Sequence, residues 1–68
     1  MSDLLNRNEL RAYFAKNGMT QKDVAKRLGI TENTLSKKIK DGVFGSDEIK
    51  MMIEMLGITN PLHIFFNL

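Results

Sequence analysis

The sequence contains no cysteine and no tryptophan, and it has one proline and one histidine. The absence of cysteine excludes disulfide bonds and thiolate metal sites. No apolar run approaches the roughly 20 residues that a membrane-spanning helix needs. The opening Met-Ser-Asp lacks the basic and apolar regions of a signal peptide. We therefore expect a protein that stays in the cytoplasm of its cell.

The chain also has few residues that could carry out catalysis. His63, the only histidine, has no carboxylate or second histidine near it at metal-ligand spacing, so a surface or interface position is the simpler interpretation. There is no glycine-rich phosphate loop, no nucleophile paired with a base and no carboxylate pair in a plausible cleft. These absences predict a protein that is not an enzyme and binds no cofactor and no metal.

The composition that remains is typical of one small folded unit. A chain of 68 residues has room for one domain with a small core, which gains stability from a partner subunit. A content of 43% hydrophobic and 26% charged residues indicates a globular rather than a disordered chain. No repeat or linker interrupts the sequence, so we expect a single domain over residues 1–68.

Apolar residues recur at helical spacing, and no segment alternates in the manner of a strand. The pattern predicts an all-α fold of five short helices. Capping residues predict helix starts at Asn6, Thr20, Thr31, Ser46, and Thr59 or Asn60. The residues predicted to face the core are Leu10, Tyr13, Phe14, Val24, Ala25, Leu28, Leu35, Ile39, Ile49, Met52, Ile53 and Leu56.

Residues 20–42 are the most informative segment. Thr20 can cap one helix, and Gly29 can adopt the left-handed conformation just after its last turn. Thr31 can then cap the next helix, so the two helices meet in a sharp turn, which is the layout of a helix-turn-helix DNA reader. Residues 16–41 also carry seven basic side chains against three acidic ones. This excess suits a polyanion, although an ordinary solvated helix face is the alternative.

The run from Gln21 to Thr31 resembles the lambda-type phage repressor and Cro family of helix-turn-helix regulators. The family has a small residue at the helix crossing, here Ala25, and a glycine at the turn, here Gly29. The resemblance implies a lambda-repressor-like domain that regulates transcription in a bacterial host. The helix-turn-helix would span about residues 20–41.

Two further segments look like the small phage-type regulators of Gram-positive hosts: residues 35–42 and residues 60–67, of which the latter would be an interface helix. One position departs from the family pattern. Lys38 stands where the family has an apolar residue, and Ile39 supplies the inward contact instead. We therefore expect the third helix to be rotated or one residue longer than usual.

In this family, the first residues of the second motif helix and one residue a turn later reach base edges in the major groove. The resemblance therefore implies base contacts by Glu32, Asn33, Thr34 and Lys37. Asn33 can pair with adenine and Lys37 with guanine, while Thr34 can touch a thymine methyl or a phosphate. Glu32 either accepts from cytosine or only complements the helix N-terminus.

Contacts to DNA phosphates are implied for Gln21, Ser36, Lys38 and Lys40. Gln21 matches a family position that holds a phosphate, and its alternative is a solvent-facing first-turn residue. Ser36 lies at the edge of the exposed face. Lys38 and Lys40 would also favour the C-terminus of their helix without DNA. Three more basic side chains project from the second helix and could touch either the DNA backbone or only solvent: Lys22, Lys26 and Arg27.

The C-terminal segment is more apolar than one small core requires. Leu62, Phe65 and Phe66 form one helical stripe, and Ile64 and Leu68 form another about 100° away. A second surplus stripe on the fourth helix consists of Met51 and Met55. These side chains either fill a small core or meet a partner. We expect a two-fold homodimer packed through the last helix.

Two functions fit this sequence. The first is a Cro-like repressor that occupies an operator in double-stranded DNA with its third helix in the major groove. The alternative is an antirepressor that binds a phage repressor protein through the same fold. The modest net charge of +2 and the apolar C-terminus keep the alternative open.

Overall fold

The computed structural model describes residues 4–68, so the opening Met-Ser-Asp, on which the expectation of no signal peptide rests, lies outside the described residues. The described part forms five helices and no strand, which confirms the all-α prediction. The helices are α1 (Arg7–Lys16), α2 (Gln21–Leu28), α3 (Glu32–Asp41), α4 (Ser46–Leu56) and α5 (Pro61–Phe65). None of these helices is long and apolar enough to cross a membrane.

The helix starts follow from local hydrogen bonds. Asn6 Oδ1 accepts from the backbone N–H of Glu9 at 3.2 Å, as the predicted cap of α1 requires. At α4 the N-cap residue is Gly45. Its backbone N–H donates to the Glu48 carboxylate at 2.8 Å. The predicted start of α4 at Ser46 is confirmed, but Gly45 and not Ser46 is its N-cap residue.

The start of α5 lies where the sequence predicts it, but the expected side-chain cap does not form. Asn60 holds the N-cap position, but no side-chain cap hydrogen bond forms there. Its Oδ1 instead accepts from the Tyr13 hydroxyl at 3.2 Å, which ties α5 to α1. Pro61 at the first helical position has no N–H to satisfy, so a side-chain cap is less necessary. The predicted capping by Thr59 or Asn60 is wrong in this respect.

Every helix contributes apolar side chains to one buried cluster, consisting of Leu5, Leu10, Phe14, Val24, Ala25, Leu35, Ile39, Met52, Leu56, Ile58, Ile64 and Phe65. The other predicted inward residues are half-buried against it: Tyr13, Leu28, Ile49 and Ile53. Ile39 is 1% exposed and supplies the inward contact of α3, as predicted from the departure at Lys38. No polar or charged side chain within residues 4–68 is buried.

The buried and exposed apolar residues of the C-terminal segment do not follow the two predicted stripes. Ile64 and Phe65 are buried in the chain's own core, and the Phe65 ring meets Phe44 edge-on with centroids 6.1 Å apart. These two residues are therefore unavailable to a partner, which corrects the predicted interface. The residues left exposed, which we call the tail surface, are Leu62, Phe66 and Leu68. A five-residue helix has little more than one turn, so consecutive residues can face inward together.

Candidate nucleic-acid interface

The turn between α2 and α3 is centred on Gly29. Its backbone is left-handed, with φ +74° and ψ +26°. The Gly29 N–H donates to Lys26 O at 3.2 Å, and the Ile30 N–H donates to Ala25 O at 3.0 Å. These bonds satisfy carbonyls at the end of α2, so the chain can reverse over residues 29–31 before α3 begins.

Reciprocal hydrogen bonds fix the start of α2. Thr20 Oγ1 accepts from the Asp23 N–H at 3.1 Å, while Asp23 Oδ2 accepts from the Thr20 N–H at 2.9 Å and from its hydroxyl at 2.9 Å. The backbone bond, followed by the hydroxyl bond, holds the pKa of the Asp23 carboxyl below its usual value. These reciprocal bonds form a capping box, which fixes the N-terminus of α2, where Gln21 is expected to contact a phosphate.

The third helix turns one face to the core and the opposite face to solvent. Leu35 and Ile39 are buried at 0% and 1% exposure. All four residues predicted to contact bases are exposed within the first two turns of α3, and we call them the reading face: Glu32, Asn33, Thr34 and Lys37. Neither the core nor the C-terminal segment covers this face. The four side chains are therefore accessible to a ligand from outside the chain.

One member of the reading face is engaged within its own helix. Thr34 Oγ1 lies 2.9 Å from Thr31 Oγ1, which also accepts from the Thr34 N–H at 3.2 Å. The hydroxyl of Thr34 thus takes part in the helix cap. This arrangement favours apolar contact with a thymine methyl over a phosphate contact for Thr34.

The predicted phosphate residues fall into two groups. Gln21 is half-buried, and its Nε2 donates to the Ser36 Oγ, so these two side chains are brought together where α2 meets α3. Lys40 is exposed near the end of α3. Lys38 is set apart, because its Nζ lies 3.2 Å from Glu48 Oε1 in a half-buried ion pair. Lys38 is therefore less available to DNA than Lys40.

Sequence reasoning missed Arg7 as a residue connected to this site. Its guanidinium reaches the far end of α3, where Nε donates to Ile39 O at 2.7 Å and Nη2 donates to Lys40 O at 2.6 Å. The partners lie 32 and 33 residues apart in sequence. No local pattern could have indicated this contact, since an arginine side chain can bond to any exposed carbonyl within reach.

The other polar features are separate from this face. The ring Nε2 of His63 lies 3.5 Å from Asn6 Nδ2 on the surface. Within residues 4–68 there is no group of three or more histidine, aspartate or glutamate side chains placed to hold a metal ion.

The geometry defines a helix-turn-helix protein, and comparison with known families agrees. The helix-turn-helix family matches residues 10–59, which include α2, α3 and α4 completely. The chain belongs to this lambda-repressor-like helix-turn-helix family. This family consists of DNA-binding domains that regulate transcription. Searches of curated proteins and of solved structures gave no match.

Proposed function

We propose that the chain is a Cro-like repressor that recognises a specific operator in double-stranded DNA with α3 in the major groove. The observation that carries the proposal is the exposure of the whole reading face on a helix anchored by Leu35 and Ile39. A repressor of this kind acts by occupying the operator and excluding other proteins from the promoter.

The side chains of the reading face have chemistry suited to base edges. Asn33 pairs with the N6 and N7 positions of adenine, and Lys37 donates to the O6 and N7 acceptors of guanine. Each good pair discriminates against the wrong base by about 1–3 kcal/mol. Glu32 lies in the first turn of α3, where it complements the helix N-terminus and can accept from a cytosine amino group.

Contacts to the DNA backbone set the position of α3 without reading sequence. We assign them to Gln21 with the first N–H groups of α2, to Ser36, and to Lys40. Since the Gln21 amide donates to the Ser36 oxygen, the Ser36 hydroxyl proton remains available for a phosphate oxygen. One phosphate held by both residues would fix α2 and α3 together against the duplex.

A second copy of the chain is the partner we propose for the tail surface. Leu62, Phe66 and Leu68 are 57%, 43% and 79% exposed. Phe66 lines an apolar groove together with Leu4 and Val43, and the end of α3 forms another side of that groove. A two-fold dimer through this surface would fix the separation of two α3 helices, as a palindromic operator with half-sites about one DNA turn apart requires.

Salt titration of DNA binding tests the repressor. The probe is the duplex that the wild-type chain selects from a random-sequence pool. We expect log affinity to fall with log salt at a slope of roughly 0.9 per neutralised phosphate. Substitutions Asn33→Ala and Lys37→Ala should relax base preference, whereas Gln21→Ala should weaken binding to all sequences alike. Operator binding unaffected by all three changes would contradict the assignment.

Sedimentation at micromolar concentration tests the dimer. The substitution Phe66→Ser should produce monomers, while Met51→Ser, at an equally exposed apolar position on α4, should leave the dimer intact. A wild-type chain that remains monomeric both with and without DNA would reject the proposed interface.

The antirepressor remains a second candidate because the tail surface is also suited to a different protein. In that case the tail surface, or the apolar groove beside it, would bind a phage repressor protein. The modest net charge of +2 is compatible with weak DNA binding. Selection from the random-sequence pool separates the two functions, since an antirepressor would select no duplex, whereas a repressor would select one with salt-dependent affinity.

A further inference from the structure

The first residue of α1 bonds to the last turn of the helix that carries the reading face. Arg7 donates from Nε to Ile39 O and from Nη2 to Lys40 O, at 2.7 and 2.6 Å. The last four carbonyls of a helix have no intrahelical donor, and the helix dipole makes that end partly negative. A forked cation at this position satisfies two carbonyls and complements the dipole at once.

The chain following α3 does not bond to these two carbonyls. The N–H groups of Gly42 and Val43 both donate to Lys38 O, at 2.8 and 3.1 Å. The carbonyls of Ile39 and Lys40 are bonded by Arg7 instead. Two carbonyls in the last turn of α3 are therefore satisfied by a side chain from α1.

The backbone at the start of α1, from which the Arg7 side chain extends, is itself held in place by hydrogen bonds. Asn6 caps α1 by accepting from the Glu9 N–H at 3.2 Å, and the Asn6 N–H donates to Ile64 O at 2.7 Å. Arg7 thus starts from a backbone tied both to α1 and to α5. Because this backbone is fixed, the contact of the Arg7 side chain with α3 can hold α3 in one orientation.

We infer that Arg7 is a positioning residue for DNA recognition, which holds the C-terminal half of α3 so that Lys37 and Lys40 meet the duplex in one register. This inference rests on the proposed function. Arg7 acts through the α3 backbone and does not itself contact DNA. Without it, the last turn of α3 samples several orientations, and only part of the population is competent to bind.

The test compares two variants that each lose side-chain donors to backbone carbonyls. Arg7→Met removes both bonds to α3 while keeping an apolar stem. The matched control is Asn17→Ala. Asn17 Nδ2 donates to Tyr13 O at 2.8 Å and to Leu56 O at 3.0 Å, so it links the other end of α1 to α4 and leaves α3 alone. Both variants are measured at a temperature where circular dichroism finds them folded.

The probe is the duplex that the wild-type chain selects from a random-sequence pool. Arg7→Met should bind it about tenfold more weakly, since apparent affinity falls with the competent fraction. The salt slope should stay at the wild-type value, whereas loss of a phosphate contact would reduce it by about 0.9. Arg7→Lys should restore part of the affinity, because an ammonium donates to carbonyls without the planar fork. Asn17→Ala should bind as the wild type does.

Amide hydrogen exchange in the DNA-free chain gives an independent readout. Exchange at Gly42 and Val43 should accelerate in Arg7→Met and remain unchanged in Asn17→Ala. Unchanged exchange and affinity in Arg7→Met, or a reduced salt slope, would overturn the positioning role. A wild-type chain that selects no duplex would instead overturn the proposed function, and with it the role of Arg7 in recognition.

Discussion

Substitution of Gly29 by alanine tests whether the turn between α2 and α3 depends on a left-handed residue. The backbone φ is +74°, and a Cβ added there would meet no heavy atom within 4 Å. The change therefore introduces no clash, and only backbone strain opposes it. Left-handed strain of about 1–2 kcal/mol, offset by about 0.4–1 kcal/mol from a more restricted unfolded chain, leaves a loss of about 1 kcal/mol.

Thermal unfolding followed by circular dichroism measures this loss. For a domain of this size, about 1 kcal/mol lowers Tm by roughly 4–8 °C. The matched variant is Gly29→Asn, which should lose less stability because asparagine tolerates the left-handed region better than alanine. An alanine variant that melts with the wild type, or equal losses in both variants, would refute the reasoning from backbone conformation.

Three further predictions concern charged side chains. Lys38→Ala should lower the free energy of unfolding in urea by no more than about 1 kcal/mol, because the Glu48 pair is partly exposed; a larger loss would contradict this. Lys40→Ala should reduce the salt slope of DNA binding by about 0.9, whereas Lys38→Ala should hardly change it, and equal effects would contradict the assignment. The depressed pKa of Asp23 stabilises the fold fully above the ordinary aspartate value and loses this effect as pH falls through the folded pKa. The stability difference between wild type and Asp23→Asn should therefore shrink below about pH 3.9, and a difference constant with pH would contradict this.

The helix-turn-helix could be predicted in detail because its signals are local. The bonds of Thr20 and Thr31 each join residues three apart, and the left-handed conformation of Gly29 depends on that residue and its nearest neighbours. Such interactions are encoded within one turn of helix. The bounds of α2 and α3 therefore followed from the sequence pattern, whereas the residues of the exposed reading face were implied by the family resemblance.

The rest depends on contacts between residues far apart in the chain. Nothing near Arg7 indicates that it bonds to the end of α3, and nothing near Lys38 indicates its pairing with Glu48. The prediction of which α5 residues face a partner failed for a different reason. A helix of five residues is too short to define a face by periodicity, so the burial of Ile64 and Phe65 depends on how the helix docks.

The most direct test of the account is selection of bound duplexes from a random-sequence pool by two proteins in parallel. One is the wild-type chain, and the other carries Asn33→Ala and Lys37→Ala on the reading face. We predict that the wild type enriches a palindromic sequence, and that the variant retains salt-dependent binding but loses preference at specific positions of each half-site. Enrichment of no sequence by the wild type, or of the same sequence by both proteins, would contradict recognition through α3.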